Sequence, residues 1–517
     1  MKSNGRIRKP ASQSENDIPR LAHALQHAQD GEFHLALYDS ENAVKTVFKT
    51  LVPLLNQQAN TLTYKSSPKN KTFWKKVCDS AQTKISFIKN LHEIESGTGK
   101  GRPEESLGTF DQAMASAHFK KPVVFFLPIQ AWSLFKESAP HIWQHRTGLY
   151  LFEEPDLDRF RRGFYLVDYF ADTQHYRMYD EKQQMLSLYK LLLAEYQKSQ
   201  FENEHLLRFS IFGKLANLYF KLGDFPKSYF YMKRQKELLR VLRDSKLLPE
   251  ILNNIGILNH TLSKYDEALE CYQNAYKVAE KKLRGSNHPA KAVILSNTGE
   301  LSYEGGDHID AFVKTRKALR MAEAKFGTRH KFLIPLLIKF ARTCRARGDY
   351  ADALDHYRRS LKIVENKLNI DHPYMSVILE QIGMTYYFQK KYDIAQRYVY
   401  RTLEPLEHAM GPAHPYLGLL LNNVGVTHFY SESPDRALKY YRWALDIRME
   451  KVGENDIVIG YIYDNIARLY RAQGEREKAR LYSIKAEKIL QKNHFVHHSE
   501  DENDEKDMRN LASEPAQ

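Results

Sequence analysis

The stretch GILNHTLSKYDEALECYQNA (256–275) opens on Gly256, places Ala268 twelve residues later and Ala275 seven after that. The first mark recurs as Ala216, Gly299, Ala341, Gly383, Gly425 and Ala467. The second recurs as Ser228, Ala311, Ala353, Ala395, Ala437 and Ala479. The third recurs as Ala318, Ser360, Thr402, Ala444 and Ala486, with Gln235 as the misfit of the first unit. Successive units are 40, 43, 42, 42, 42 and 42 residues apart, and the turn between the first two marks carries Gly223, Gly306, Gly348 and Gly474. A fixed period of this length marks a solenoid, in which each unit buries its apolar face against its neighbours. Small residues at fixed phases imply two helices crossing with their axes only ~8–10 Å apart, so that bulk is excluded there. Large rings fill the surrounding space, as in LANLYFKLGDF (215–225) and IARLYRAQGE (466–475).

This helix A–turn–helix B pattern resembles the tetratricopeptide repeat. Its period exceeds the usual one of about 34 residues, which lengthens the helices. In its 42-residue form it is similar to the repeats of kinesin light chains, where a G-x-x-H-P connector precedes a helix with L-N-N-L-A. MGPAHPYLGLLLNNVGVTHFYSESPDRALKYYRWALDIRMEKVG (410–453) carries nearly every element of that pattern. The resemblance covers residues 201–495 and implies an all-α, right-handed superhelical solenoid of seven repeats. It does not extend to the long heptad coiled coil of that family. The one comparable stretch, TFWKKVCDSAQTKISFIKNLHEI (72–94), reads as a single amphipathic helix too short for a stable coil.

Four histidines, His288, His330, His372 and His414, stand at one phase, eleven residues before the first small residue. Pro289, Pro373 and Pro415 follow three of them, and proline favours the first helical position, which puts the histidine at the N-cap. Ser245 and Asp456 share the phase and are themselves preferred caps; His205 holds it in the first unit. Equivalent positions in successive repeats lie of order 10–20 Å apart. Zinc ligands lie ~2 Å from one ion, so a shared metal is excluded. Lys331 replaces the proline in the fourth repeat and Pro335 sits one turn in, which predicts a kinked or late helix start.

Composition fits a soluble protein: 43% hydrophobic and 27% charged over 517 residues. Cys78, Cys271 and Cys344 are too dispersed for a disulfide framework, and the basic N-terminus lacks the apolar core of a signal peptide. A cytoplasmic protein with no membrane span is expected. The net charge of +14 invites a nucleic-acid reading, which the repeat pattern does not favour. Residues 1–16 read as a disordered basic tail and 496–517 as an acidic one. Between them, 17–200 reads as an irregular helical region in which DGEFHLALYDSENAVKTV (30–47) echoes the repeat, and LGTFDQAMASAHF (107–119) more weakly. The aromatic segment 119–180 reads as helical core, and PVVFFLPIQAWSLF (122–135) is too short to span a bilayer. SGTGKG (96–101) lacks the first glycine and the hydroxyl residue of a phosphate loop and reads as a linker. No enzyme signature is found, and neither a cofactor nor a metal site is expected.

In this repeat class the A helices line the concave face, and their second, fifth, sixth, ninth and twelfth or thirteenth positions form the stripe that meets a ligand. The sixth position reads Asn254, Asn297, Lys339, Gln381, Asn423 and Asn465. An Asn amide both donates and accepts, which suits the backbone of an extended peptide; the alternative is a solvated or interhelical Asn. Arg342 and Arg345 in the fourth repeat, and Arg468 and Arg471 in the seventh, offer forks for carboxylates of a ligand or, alternatively, pair with acidic neighbours such as Glu304 or Glu380. Tyr387, Phe388, Phe429 and Tyr430 lie between them. The expectation is an adaptor or scaffold that captures an extended peptide with acidic residues flanking an aromatic or large apolar one. The alternative is a regulator or enzyme with its activity in 17–200 and the repeats as sensor.

Overall fold

The computed structural model describes mainly residues 20–26, 32–38, 41–55, 59–63, 85–89, 123–128, 132–152, 179–198, 204–242 and 247–493, apart from single residues and short breaks within those spans. The expected tails, the linker at 96–101 and the echo at 107–119 lie outside the described residues. Two compact units divide the chain: residues 1–161 with 184–214, and residues 162–183 with 215–517.

The first unit departs from expectation. Among the described residues it holds five strands, β1 (Phe33–Tyr38), β2 (Ala59–Thr63), β3 (Ile85–Lys89), β4 (Val123–Pro128) and β5 (Arg146–Phe152). They form one parallel sheet in the order β2-β3-β4-β1-β5. The 30–47 segment is therefore not a degenerate repeat: it is β1 followed by helix α1 (Glu41–Leu54). Likewise the 72–94 segment contains β3, and the apolar run at 122–135 is β4 leading into α2 (Trp132–Ser138). The physical reason lies in FHLALY, ISFIK, VVFFLP and RTGLYLF, short runs rich in β-branched and aromatic residues. Strands of a parallel sheet are buried on both faces, so they show no alternation. On one face Ala36, Tyr38, Val124, Phe126 and Tyr150 pack against Val44, Val47 and Leu51 of α1. On the other, Phe125 meets Phe135 of α2 at 6.4 Å between ring centroids. After α3 (Pro140–His145) and β5 comes α4 (Tyr179–Lys198), where Glu195 accepts from the Arg146 guanidinium at 2.9 Å.

The repeats form as expected. Their A helices are α5 (Glu204–Lys221), α7 (Leu248–Thr261), α9 (Pro289–Glu304), α11 (Leu333–Ala346), α13 (Pro373–Phe388), α16 (Pro415–Tyr430) and α18 (Ile457–Ala472). The B helices are α6 (Phe225–Leu242), α8 (Tyr265–Lys282), α10 (His308–Phe326), α12 (Tyr350–Lys367), the pair α14 (Tyr392–Tyr400) and α15 (Leu403–Met410), α17 (Pro434–Lys451) and α19 (Arg476–Asn493). The α14–α15 break falls at Arg401 and Thr402; Pro405 has no N–H to give the Arg401 carbonyl, so the helix cannot run through.

All three columns of small residues are buried. A Cβ built on Gly256 or Gly425 would come within 2.6 or 2.5 Å of Tyr272 or Tyr441, rings that are themselves fully buried. The connector residues do cap helices. The Nδ1 atoms of His288, His372 and His414 accept the backbone N–H two residues on, at 3.2, 3.2 and 3.1 Å, and Asp456 Oδ1 does the same at 3.3 Å. His330 accepts from Phe332, while α11 starts late at Leu333, as its missing proline predicts. One position departs from the rule: α5 begins at Glu204, so His205 lies inside the helix; α7 has Leu247 at its N-cap, and Ser245 lies outside the described residues.

Candidate functional site

The expected stripe maps onto the A helices of the second unit, but most of its amides are engaged between repeats. Asn297 Nδ2 donates to Asn253 Oδ1 at 2.9 Å, Asn423 Nδ2 to Glu380 Oε1 at 2.7 Å, and Asn465 Nδ2 to Asn422 Oδ1 at 2.9 Å. In each pair the sixth residue of one A helix donates to the fifth residue of the preceding one. Lys339, the exception in the sixth column, reaches back to Asn297 Oδ1 at 2.5 Å. Gln381 donates to the neighbouring Glu380, and Asn254 is buried at 3% exposure. The fifth column (Asn253, Glu380, Asn422) thus completes the sixth.

The arginines are likewise held. Arg342 Nη1 donates to Glu300, its counterpart one repeat earlier, and its guanidinium lies over the Tyr303 ring at 4.8 Å. Arg345, 8% exposed, donates to the Gln381 carbonyl at 3.3 Å and covers the Phe388 ring at 5.4 Å. Arg468 pairs with Asp464 at 2.8 Å within its own helix, and Arg471 donates to Ser483 at 3.4 Å on an exposed face. Burial pushes the Glu380 carboxyl above the usual carboxylate range, against the pull of Arg345 and the Asn423 donor. Burial acts on Glu304 the same way, yet His260, 2.8 Å away, holds that carboxyl below its usual range.

The ring cluster forms as a unit. Tyr387 and Tyr430 meet edge-on at 5.3 Å, Tyr392 stacks on Tyr430 at 4.9 Å, and Phe429 and Phe388 abut Tyr430 and Tyr387. Phe388 is 42% exposed, a large apolar side chain presented beside a guanidinium.

Residues far apart in sequence also meet across the array. The Lys182 ammonium donates to the Ala409 carbonyl at 2.5 Å, and the Tyr179 ring lies where a Cβ on Gly411 would have to go. A Cβ on Gly223 would come within 2.5 Å of Pro415, and the Ile457 N–H donates to Ser263 Oγ at 3.4 Å. Gly411 and Gly223 combine these close approaches with φ of +92° and +78°, a conformation that also disfavours any larger residue. Repeats 1 and 2 thereby touch repeats 6 and 7, and the array closes on itself.

Sequence reasoning missed Asn253, Asn422, Glu300 and the closing contacts. The fifth column was legible by aligning repeats, since each of its members stands three residues before the first small mark. Among the described residues no group of three or more metal-ligating side chains converges, and no helix is long and apolar enough to cross a membrane.

A family model of the tetratricopeptide repeat matches residues 247–324, 306–366, 332–407 and 374–450. Solved structures similar to the chain include BtubC (BKLC) from P. vanneervenii, 20% identical over 47% of this chain and 94% of that one, with a TM-score of 0.33. A Rap protein complexed with competence and sporulation factor is 12% identical over 61% of this chain and 99% of that one, with a TM-score of 0.45. The kinesin light chain-like repeats of a Podospora anserina protein are 14% identical over 40% of this chain and 97% of that one, with a TM-score of 0.32. No curated protein matches the sequence.

Proposed function

We propose, from the tetratricopeptide repeats at residues 247–450, that this chain is a protein-interaction adaptor whose A-helix surface captures an extended peptide segment of a partner. One observation carries the reading: Phe388, 42% exposed, projects beside the Arg345 guanidinium and a cluster of four further rings. An exposed ring in such a setting offers an apolar partner side chain a rigid anchor, and aromatic anchors dominate binding energies. The inter-repeat amides serve this surface by fixing the register of neighbouring helices. Acidic residues beside the anchor would meet Arg345 and the more exposed Arg468 and Arg471.

A peptide array screened with the full chain tests this. Peptides with an aromatic or large apolar residue flanked by carboxylates are expected to bind best, and Phe388→Ala to weaken them about tenfold while leaving the fold intact. Preference for basic peptides, or an unchanged affinity in that variant, defeats the reading.

A further inference from the structure

The positive charge of the array is concentrated. Residues 311–331, running from α10 into the connector after it, hold seven Lys and Arg but a single acid, Glu323. Glu323 is taken by Arg359 of α12 at 2.6 Å, and Lys314 pairs with Asp310. Arg316, Lys317 and Arg320 are exposed, and among the described residues no carboxylate pairs with any of them. Steps of three and four residues put them on one face of α10 with Ile309 and Val313. Those two aliphatic side chains are 75% and 57% exposed, the highest values among the described large hydrophobic residues.

The repeat fold does not demand apolar residues there. The phases of Ile309 and Val313 carry Asp266 and Glu270 one repeat earlier, and Ala351 and Asp355 one repeat later. An exposed apolar patch rimmed by charge marks an interaction surface. Beside it lies a depression of about 430 Å³, lined by Val313, Phe312 and Met321 together with Arg316, Lys317 and Arg320. A second, of about 600 Å³, follows at the connector, where Arg329, Lys331 and Lys367 contribute to its lining. That connector is pinned by Arg359, which donates to the Thr328 carbonyl at 2.7 Å.

We propose that the exposed face of α10 is a second docking surface, for an acidic protein segment whose large apolar side chains cover Ile309 and Val313 while its carboxylates meet Arg316, Lys317 and Arg320. Such a segment supplies opposite charge and apolar area together. A nucleic-acid strand would satisfy the cations alone: Ile309 and Val313 give its bases no ring to stack on, and the nearby Phe312 ring already carries the Arg347 guanidinium at 4.2 Å. A bilayer surface would leave the depression beside Val313 unfilled. The face belongs to a B helix and stands independently of what the A helices bind.

Fluorescence anisotropy of the full chain with a labelled peptide of Glu and Leu as probe tests this. Saturable binding that weakens as salt rises is expected. Ile309→Asp combined with Val313→Glu introduces the residue types that the second repeat carries at the same phases, so the double variant should melt like the parent. The probe should bind it at least about tenfold more weakly, since carboxylates then face carboxylates. The same loss is expected when both proteins also carry Phe388→Ala, which separates this surface from the A-helix one. No measurable binding of the probe, or equal affinity in the double variant, overturns the proposal. So does tighter binding of a single-stranded oligonucleotide or of phosphatidylserine vesicles, and so does a melting temperature lowered by several degrees, which would make Ile309 and Val313 part of the core.

Discussion

Asn423 donates to Glu380 at 2.7 Å across the boundary between the sixth and fifth repeats, and Glu380 is only 2% exposed. The pair places a carboxylate acceptor and its donor on neighbouring A helices, in the same two columns that pair Asn297 with Asn253 and Asn465 with Asn422. Recurrence at three boundaries makes it a structural device of the array.

Removing one partner of such a pair leaves the other buried and unmet, which costs about 1–3 kcal/mol. Asn423→Leu is therefore expected to destabilise the array by that amount. Glu380→Gln, which keeps an acceptor, should cost much less. Denaturant unfolding distinguishes them, and equal costs would contradict the assignment.

The helix crossings make a steric prediction. A Cβ on Gly425 would lie 2.5 Å from the Tyr441 ring, which is 1% exposed and has no room to move. Gly425→Leu should cost about 1–3 kcal/mol or more through overpacking. Because each repeat leans on its neighbours, the loss should appear in the unfolding of the array and not as a local change. A melting curve that matches the parent would refute the crossing.

The connector histidines predict a pH dependence. Burial pushes His414 down to about 3, helped by the Lys182 charge, and burial also lowers His288. A histidine held neutral in the fold but free to charge when unfolded stabilises fully above its unfolded value near 6.5. That contribution is lost as pH falls from there toward 3, with a slope of at most about 1.4 kcal/mol per pH unit for each such group. Asn is also a helix cap, so His414→Asn should keep the cap, remove the titration and flatten the acid side of the profile. The comparison is between the two stability profiles from pH 4 to 8, and superimposable acid limbs would discount His414.

The array was legible because a close helix crossing admits few residue types, so Gly256, Ala268 and Ala275 and their counterparts repeat visibly. The sheet was not. FHLALY and VVFFLP are short apolar runs buried on both faces, and such runs carry neither the period of a strand nor that of a surface helix. The stripe was half legible: its rings do cluster, but the sixth column alone left Asn423 open between a ligand group and an interhelical one, because its partner stands in the fifth column of the repeat before. Closure of the array left no sequence signal, because it depends on the rotation summed over all repeats.

One of these long-range contacts, from α4 to the connector before the sixth repeat, is itself testable. Lys182, 2% exposed, reaches the Ala409 carbonyl, and Gly411 leaves the space that the Tyr179 ring occupies. Gly411→Ala sets a Cβ against that ring and also strains a backbone at φ +92°, which L-residues disfavour. Lys182→Met removes the donor while keeping most of the buried volume. Each change should loosen the junction at 409–416 without touching the helix crossings within repeats. Faster amide exchange is therefore expected at 409–416 and 179–183, with exchange in α9 and α11 unchanged. Protection at 409–416 equal to that of the parent would mean that Tyr179 and Lys182 do not hold this junction.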